Sequence, residues 1–226
     1  MGKETSERIQ TSILNGVEKK VLVWLAKRQP KWMTSDGLTY LGVIGSIIFA
    51  LGGYLANLNS NFLWLASFGL VIHWYGDSLD GTLARVRNAQ RPVYGFFIDH
   101  IMDVVTTAFI FLGVGLSPML RMDIAFFAFS GYLALSVYTY ICIILKNEFR
   151  LTYGKFGPTE FRLLLIVLCI LYMYSPWTDI KYSISGVEYG VFDIIGIIIS
   201  LVLYSIYIVQ FIKDRKMFSI QDPSKQ

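Results

Sequence analysis

Charge is scarce in this sequence. Asp, Glu, Lys and Arg make up 16% of the 226 residues, while apolar residues make up 54% and the mean hydropathy is +0.53. Soluble domains carry about 25% charged residues, so this balance excludes an ordinary soluble globule and points to a membrane protein. Cysteine is nearly absent: Cys142 and Cys169 both fall inside apolar runs. That excludes a disulfide framework and a cysteine zinc site, and leaves both as small packing residues. Residues 1–20 are polar and charged, without the apolar core of a secretory leader, so no cleaved signal peptide is expected. There is no internal repeat and no low-complexity tract.

What the sequence has in abundance is long apolar runs. A helix needs about 20 apolar residues to cross the hydrocarbon core. Six runs qualify: Gly37 to Ala56, Phe62 to Val86, Gly95 to Leu116, Ile124 to Leu145, Phe161 to Tyr174 and Val191 to Ile212. The fifth is the shortest, and the last third of the second is polar. With both termini on the cytoplasmic side, the external loops near residues 57–61, 117–123 and 175–189 hold only Arg121 and Lys181 among all the basic residues. That is a strong positive-inside bias, and an even number of spans agrees with it. Because the basic residues follow this topology and the net charge is only +4, nothing supports nucleic-acid binding.

The segment from Glu4 to Arg28 differs from the spans. Ile9, Ile13, Val17, Val21 and Trp24 recur at helical spacing, widened by Leu14, Leu22 and Leu25, with Lys19, Lys20, Lys27 and Arg28 elsewhere on the helix. This pattern predicts an amphipathic helix on the cytoplasmic membrane surface; an ordinary helix packed on the bundle is the alternative. Pro30 ends it, and Thr34, Ser35 or Asp36 caps the first span. The expected architecture is an all-α integral membrane protein of one domain over residues 1–226. It comprises an interfacial helix at 4–28, a six-helix bundle at 34–213 and a tail at 214–226.

The chemistry sits in the polar end of the second run and the start of the third. Asp77, Asp80, Asp99 and Asp103 lie within or beside two hydrophobic spans. Ionised groups at membrane depth are costly and usually mark a function. Successive helical residues turn about 100°, so Asp77, Asp80, Gly81 and Ala84 share one face of the second span. Asp99 and Asp103 are one turn apart on the third, with Gly95 a turn earlier. A short link makes the two helices antiparallel neighbours, so carboxylates face carboxylates. Such a cluster repels itself unless some acids hold protons or a cation neutralises them. Ligands that are all oxygen suit a hard ion such as Mg²⁺ or Mn²⁺. Gly81, Ala84 and Gly95 leave room for a ligand, or pack helices closely. Arg85 either neutralises phosphate oxygens or anchors the cytoplasmic end of its helix.

Weaker candidates surround this stretch. His73 lies one turn before Asp77 and roughly on the same face, and reads as a satisfied interior histidine or as a supporting partner of the acids; His100 points away from Asp99's face. Lys146, Arg150, Lys155 and Arg162 flank the loop between spans four and five. They offer an anion pocket for a phosphorylated acceptor, or ordinary positive-inside charge. Gly157-Pro158-Thr159-Glu160 reads as a helix start.

The pattern Asp-x2-Asp-Gly-x2-Ala-Arg-x9-Gly-x3-Asp-x3-Asp, running from Asp77 through Asp103, resembles the motif of the CDP-alcohol phosphotransferase family, with all eight positions filled. The stretch Ser35-Asp36-Gly37-Leu38-Thr39 departs from the Pro-Asn-x-x-Thr pattern frequent in the family at the head of the first span. The resemblance implies six spans and a preceding amphipathic helix. It implies that Asp77, Asp80 and Asp99 are the core metal ligands of a site holding two Mg²⁺ or Mn²⁺ ions, with Asp103 close to them and acting as the general base. It further implies that Asp77, Asp80, Gly81, Ala84, Arg85 and Gly95 receive the CDP part of the donor, and that the protein is a homodimer. The expected reaction moves a phosphatidyl group from CDP-diacylglycerol to a small alcohol with release of CMP. The family also contains the reverse arrangement, in which a soluble CDP-alcohol donates to a lipid or polar alcohol. The expected location is a prokaryotic plasma membrane, with the site on the cytoplasmic side. A reading of a different class is a small cation transporter or channel whose buried acids bind the ion.

Overall fold

The computed structural model describes residues 7–9, 14–146, 148–150 and 157–222, with the backbone alone at 7–9 and 148–150. In chain order the elements are β1 (Glu7–Ile9), α1 (Asn15–Lys27), α2 (Ser35–Leu55), α3 (Leu63–Val86), α4 (Pro92–Leu116), α5 (Met122–Lys146), β2 (Glu148–Arg150), α6 (Pro158–Tyr174), β3 (Lys181–Ile184), β4 (Val187–Gly190) and α7 (Val191–Gln221).

All six predicted spans are helices at the predicted places. Four of them, α2, α4, α5 and α7, are long and apolar enough to cross a membrane. In α3 the polar residues of its last third interrupt the apolar stretch, and α6 has 17 residues. The outward faces carry large apolar side chains such as Ile144, Val167, Leu201 and Val209, which is the arrangement of a protein solvated by lipid. The chain is an integral membrane protein.

Local sequence explains the helix ends. Thr34 caps α2, its Oγ1 accepting from Gly37 N at 3.0 Å. Pro158 opens α6, and Glu160 reaches back to accept from Gly157 N at 3.0 Å. Asp193 does the same for Gly190 N at the head of α7, at 2.9 Å. Between α6 and α7 the chain forms an antiparallel β3–β4 hairpin, turned by Ser185 (φ 51°) and Gly186 (φ 81°). Two successive residues with positive φ match the right-handed twist of the strands.

Two expected boundaries differ. The helix expected from Glu4 begins at Asn15; Glu7–Ile9 is instead extended and pairs in parallel with Glu148–Arg150. Residues 4–6 and 10–13 of the expected helix lie outside the described residues. The last helix continues past Ile212 to Gln221, so most of the expected tail is helical. The basic and polar residues there end the apolar run, but they do not break helical geometry.

The bundle is organised around α2 and α3, its most extensive helix pair. Small residues set their separation. A methyl group on Gly69 would stand 2.5 Å from Phe49 N, and one on Gly45 or Gly76 would overlap the backbone nitrogen of His73 or Gly42. Gly53 similarly meets the backbone of Gly113 and brings α4 against α2. Close backbone approach of this kind drives helix association where lipid removes the hydrophobic incentive. One apolar cluster gathers Phe49, Leu63, Leu70, Ile110, Leu165 and Cys169. A second seats α1, burying Leu22 and Ala26 against Leu38, Leu79 and Leu83. Both cysteines are buried and unbridged.

Candidate active site

Backbone contact between α2 and α3 fixes how α3 is rotated, and so where its acids point. Asp77 faces α4. Its carboxylate, with those of Asp99 and Asp103, offers oxygens that all lie within 4.8 Å of one another. Opposite oxygens of an octahedral Mg²⁺ stand about 4.2 Å apart, given ion–oxygen distances near 2.1 Å. The trio therefore needs only small side-chain rotations to close on a hard cation. All three residues are partly exposed, leaving a path for ligand.

Asp80 stands outside this trio. Its carboxylate is buried and accepts from Thr39 Oγ1 at 2.6 Å and from the backbone N–H of Gly81. Ser35 Oγ donates to the Asp80 carbonyl at 3.0 Å. The segment Ser35 to Thr39, whose consequence the sequence leaves open, is thus the part of α2 that holds Asp80.

Arg162 brings in a third helix. From α6 its buried guanidinium donates through Nη2 to Asp77 Oδ2 and to His73 Nε2, the latter at 3.2 Å, and through Nη1 to Ser78 Oγ at 3.4 Å. His73 Nδ1 lies 3.1 Å from the Gly42 carbonyl. A carbonyl only accepts and a guanidinium only donates, so these contacts select the imidazole tautomer with its proton on Nδ1. His73 is satisfied, as its interior position suggested, and also abuts the site through Arg162. Three carboxyl groups against one guanidinium leave an excess of negative charge, which favours a bound cation.

The other predicted residues disperse. Arg85 is exposed and donates to Thr82 Oγ1 at 2.9 Å. A methyl on Gly81 would meet Arg85 Nη1 at 3.4 Å; one on Gly95 would meet nothing within 4 Å. Gly95 is therefore not a packing glycine in this structure, and Ala84 is partly exposed. His100 stacks on Phe96 and bonds the Phe96 carbonyl at 2.8 Å, but, against the expectation that it points away, its Nδ1 also lies 3.7 Å from Asp99 Oδ2. Lys146 pairs with Asp214 on α7, alongside Tyr138. Lys155 and the Arg150 side chain lie outside the described residues. Of the two such cations whose side chains are described, Lys146 and Arg162, it is Arg162 that is placed against the acids. Thr39, Ser78 and the Gly42 carbonyl are partners that the spacing of the acids does not reveal. The cue for Thr39 is a hydroxyl within the first turns of an apolar span.

Comparison with known proteins finds relatives for this chain. Over 191 residues the chain is 27% identical to "Cholinephosphotransferase 1" of Gallus gallus, covering 77% of this chain and 54% of that protein. It is 26% identical over 177 residues to "Cholinephosphotransferase 1" of Homo sapiens, covering 73% and 42%. It is 32% identical over 107 residues to "Archaetidylinositol phosphate synthase" of Pyrococcus horikoshii, covering 46% and 55%. The chain spans about half the length of these curated relatives. The family model described as CDP-alcohol phosphatidyltransferase matches residues 32–208, from just before α2 into α7. With the acidic motif complete inside a match over most of its length, the chain belongs to the CDP-alcohol phosphatidyltransferase family.

Proposed function

We propose that this protein transfers a substituted phosphate group from a CDP-linked donor to an alcohol, with release of CMP, at the acids of α3 and α4. The observation that carries this reading is the approach of Asp77, Asp99 and Asp103 carboxylate oxygens to within 4.8 Å. Asp77, Asp99 and Asp103 would hold Mg²⁺ or Mn²⁺, with Asp80 as the further acid of the motif. A bound divalent ion, or a pair of them, supplies charge neutralisation for the pyrophosphate and for the departing CMP.

The chain's own residues do the rest. Asp103 accepts the proton of the acceptor hydroxyl. The freed oxygen bonds to the phosphorus that stays with the transferred group, and the bond from that phosphorus to the CMP oxygen breaks. Arg162 holds Asp77 in orientation. Gly81, Ala84 and Gly95 leave space for the donor beside the backbone, and Arg85, exposed at the end of α3, meets its phosphate oxygens. Catalysis is then mainly positioning and charge stabilisation.

In this reading α2 to α7 each cross the bilayer, giving six spans in one domain, with the site and both termini on the cytoplasmic side. Helix α1 lies along that surface. Its exposed Val17 and Trp24 support this, since they point away from the Leu22 and Ala26 face that docks on the bundle. The homodimer that the resemblance implies belongs to the same proposal.

Two donor arrangements fit. The sequence reading puts CDP-diacylglycerol first, with a small alcohol as acceptor. The relatives that cover most of this chain are named cholinephosphotransferases, which favours the other arrangement, a soluble CDP-alcohol donating to a lipid hydroxyl. The test is CMP release by the purified protein in lipid with Mg²⁺ or Mn²⁺. CDP-diacylglycerol is offered with serine, glycerol 3-phosphate, inositol, inositol phosphate or phosphatidylglycerol. CDP-choline and CDP-ethanolamine are offered with diacylglycerol. Metal-dependent release with one pair identifies donor and acceptor together. A folded protein that binds metal and releases no CMP from any pair supports the cation-transport reading, or an inactive member of the family, instead.

A further inference from the structure

Glu18 lies on α1, outside the acidic motif. One of its carboxylate oxygens, Oε1, accepts from Trp74 Nε1 at 2.8 Å and from Thr159 Oγ1 at 2.6 Å. The two donors belong to different helices. Trp74 on α3 precedes Asp77 by three residues, and Thr159 on α6 precedes Arg162 by three. On each helix the tethered residue is therefore one turn from a partner in the Arg162–Asp77 pair.

The surroundings make this tether firm. Leu14 N, at the head of α1, donates to Glu160 Oε1 at 3.1 Å, a second tie between the first turns of α1 and α6. Leu22 and Ala26 bury α1 against Leu79 and Leu83 of α3. Arg87, just past α3, donates to the carbonyls of Gln29 and Pro30 at 3.1 and 2.8 Å, holding the segment that follows α1. Helix α6 packs on α3 less extensively than α2 does, so its placement depends more on such individual bonds.

We infer that Glu18 is a positioning residue: by bridging Trp74 and Thr159 it sets α6 against α3 and so holds Arg162 on Asp77. The inference rests on Asp77 belonging to the metal-holding trio. It also predicts that an acid at this position is not required for its charge. A single oxygen accepts both bonds, and the carbonyl oxygen of Gln offers the same two lone pairs.

The test compares wild type with Glu18→Ala, Glu18→Gln, Thr159→Ala and Thr159→Ser, each full length in the same lipid. Mn²⁺ affinity is read by electron paramagnetic resonance, and the Mg²⁺ dependence of CMP release alongside it, per folded protein. Glu18→Ala and Thr159→Ala are expected to weaken Mn²⁺ binding and raise the Mg²⁺ requirement by about tenfold, as loss of an outer partner of a metal ligand does. Glu18→Gln and Thr159→Ser are expected to keep the wild-type values. Wild-type Mn²⁺ affinity and Mg²⁺ dependence in Glu18→Ala would overturn the inference and leave the proposed function standing. Should Glu18→Ala fail to fold, Thr159→Ala against Thr159→Ser decides in the same way. Failure of the proposed function looks different, because wild type itself would then bind no Mn²⁺ or release no CMP.

Discussion

Thr39 on α2 donates its hydroxyl to the Asp80 carboxylate on α3 at 2.6 Å, across the closest helix pair of the bundle. The bond gives a buried carboxylate a partner where water is excluded. Thr39→Val keeps the shape and removes the donor. It is expected to destabilise the protein by about 1–3 kcal/mol, the penalty for stranding a buried polar group. Thr39→Ser should retain most of the stability. Thermal unfolding in one detergent compares them.

Removing the proton acceptor separates chemistry from folding. Asp103→Asn is close in size and is expected to fold. CMP release should fall by about 10²- to 10⁴-fold, the usual contribution of a general base. Much of the Mn²⁺ binding should remain through Asp77 and Asp99. Wild-type turnover in a folded Asp103→Asn protein would remove the base assignment.

Arg162 bonds Asp77, His73 and Ser78 through a planar fork that a lysine ammonium cannot reproduce. Arg162→Lys keeps the charge but is expected to lower kcat/KM by about tenfold or more, equivalent to about 1.4 kcal/mol of transition-state stabilisation. A steady-state assay of CMP release measures it.

The glycines divide into two groups that substitution can tell apart. Gly45→Ala and Gly76→Ala place a methyl group into facing backbone, which cannot yield as a flexible side chain does. Both are expected to reduce the yield of folded protein sharply. Gly95→Ala meets open space and should fold normally. Loss of CMP release in that folded variant, read as a raised KM for the CDP donor, would mark Gly95 as part of the donor cradle.

Chelation tests the cation directly. Excess EDTA is expected to abolish CMP release, and Mg²⁺ or Mn²⁺ should restore it. Turnover that persists after exhaustive chelation would overturn the assignment of the trio.

Much of this was legible in the linear sequence because its signals are one-dimensional. An apolar run of membrane length marks a hydrophobic helix wherever it packs. The motif from Asp77 to Asp103 carries its meaning in spacing within two adjacent helices, where helical geometry relates residues without reference to the rest of the fold. The boundaries at Asn15 and Gln221 were less legible. Helical periodicity persists in a strand-forming tail, and polar residues that end a span do not end a helix.

Tertiary structure decided which acids gather. Spacing puts Asp77 and Asp80 on one broad face of α3, but the contact of Gly45 and Gly76 with facing backbone sets the rotation of that helix. That rotation sends Asp77 to Asp99 and Asp103, and Asp80 to Thr39. Arg162 stands 85 residues from Asp77 along the chain, and Glu18 stands 141 from Thr159, so no local pattern links either pair. Such partners meet because helices distant in sequence pack side by side. The sequence by itself determined the apolar helices, the motif and the family; packing of small residues between helices determined the geometry of the site.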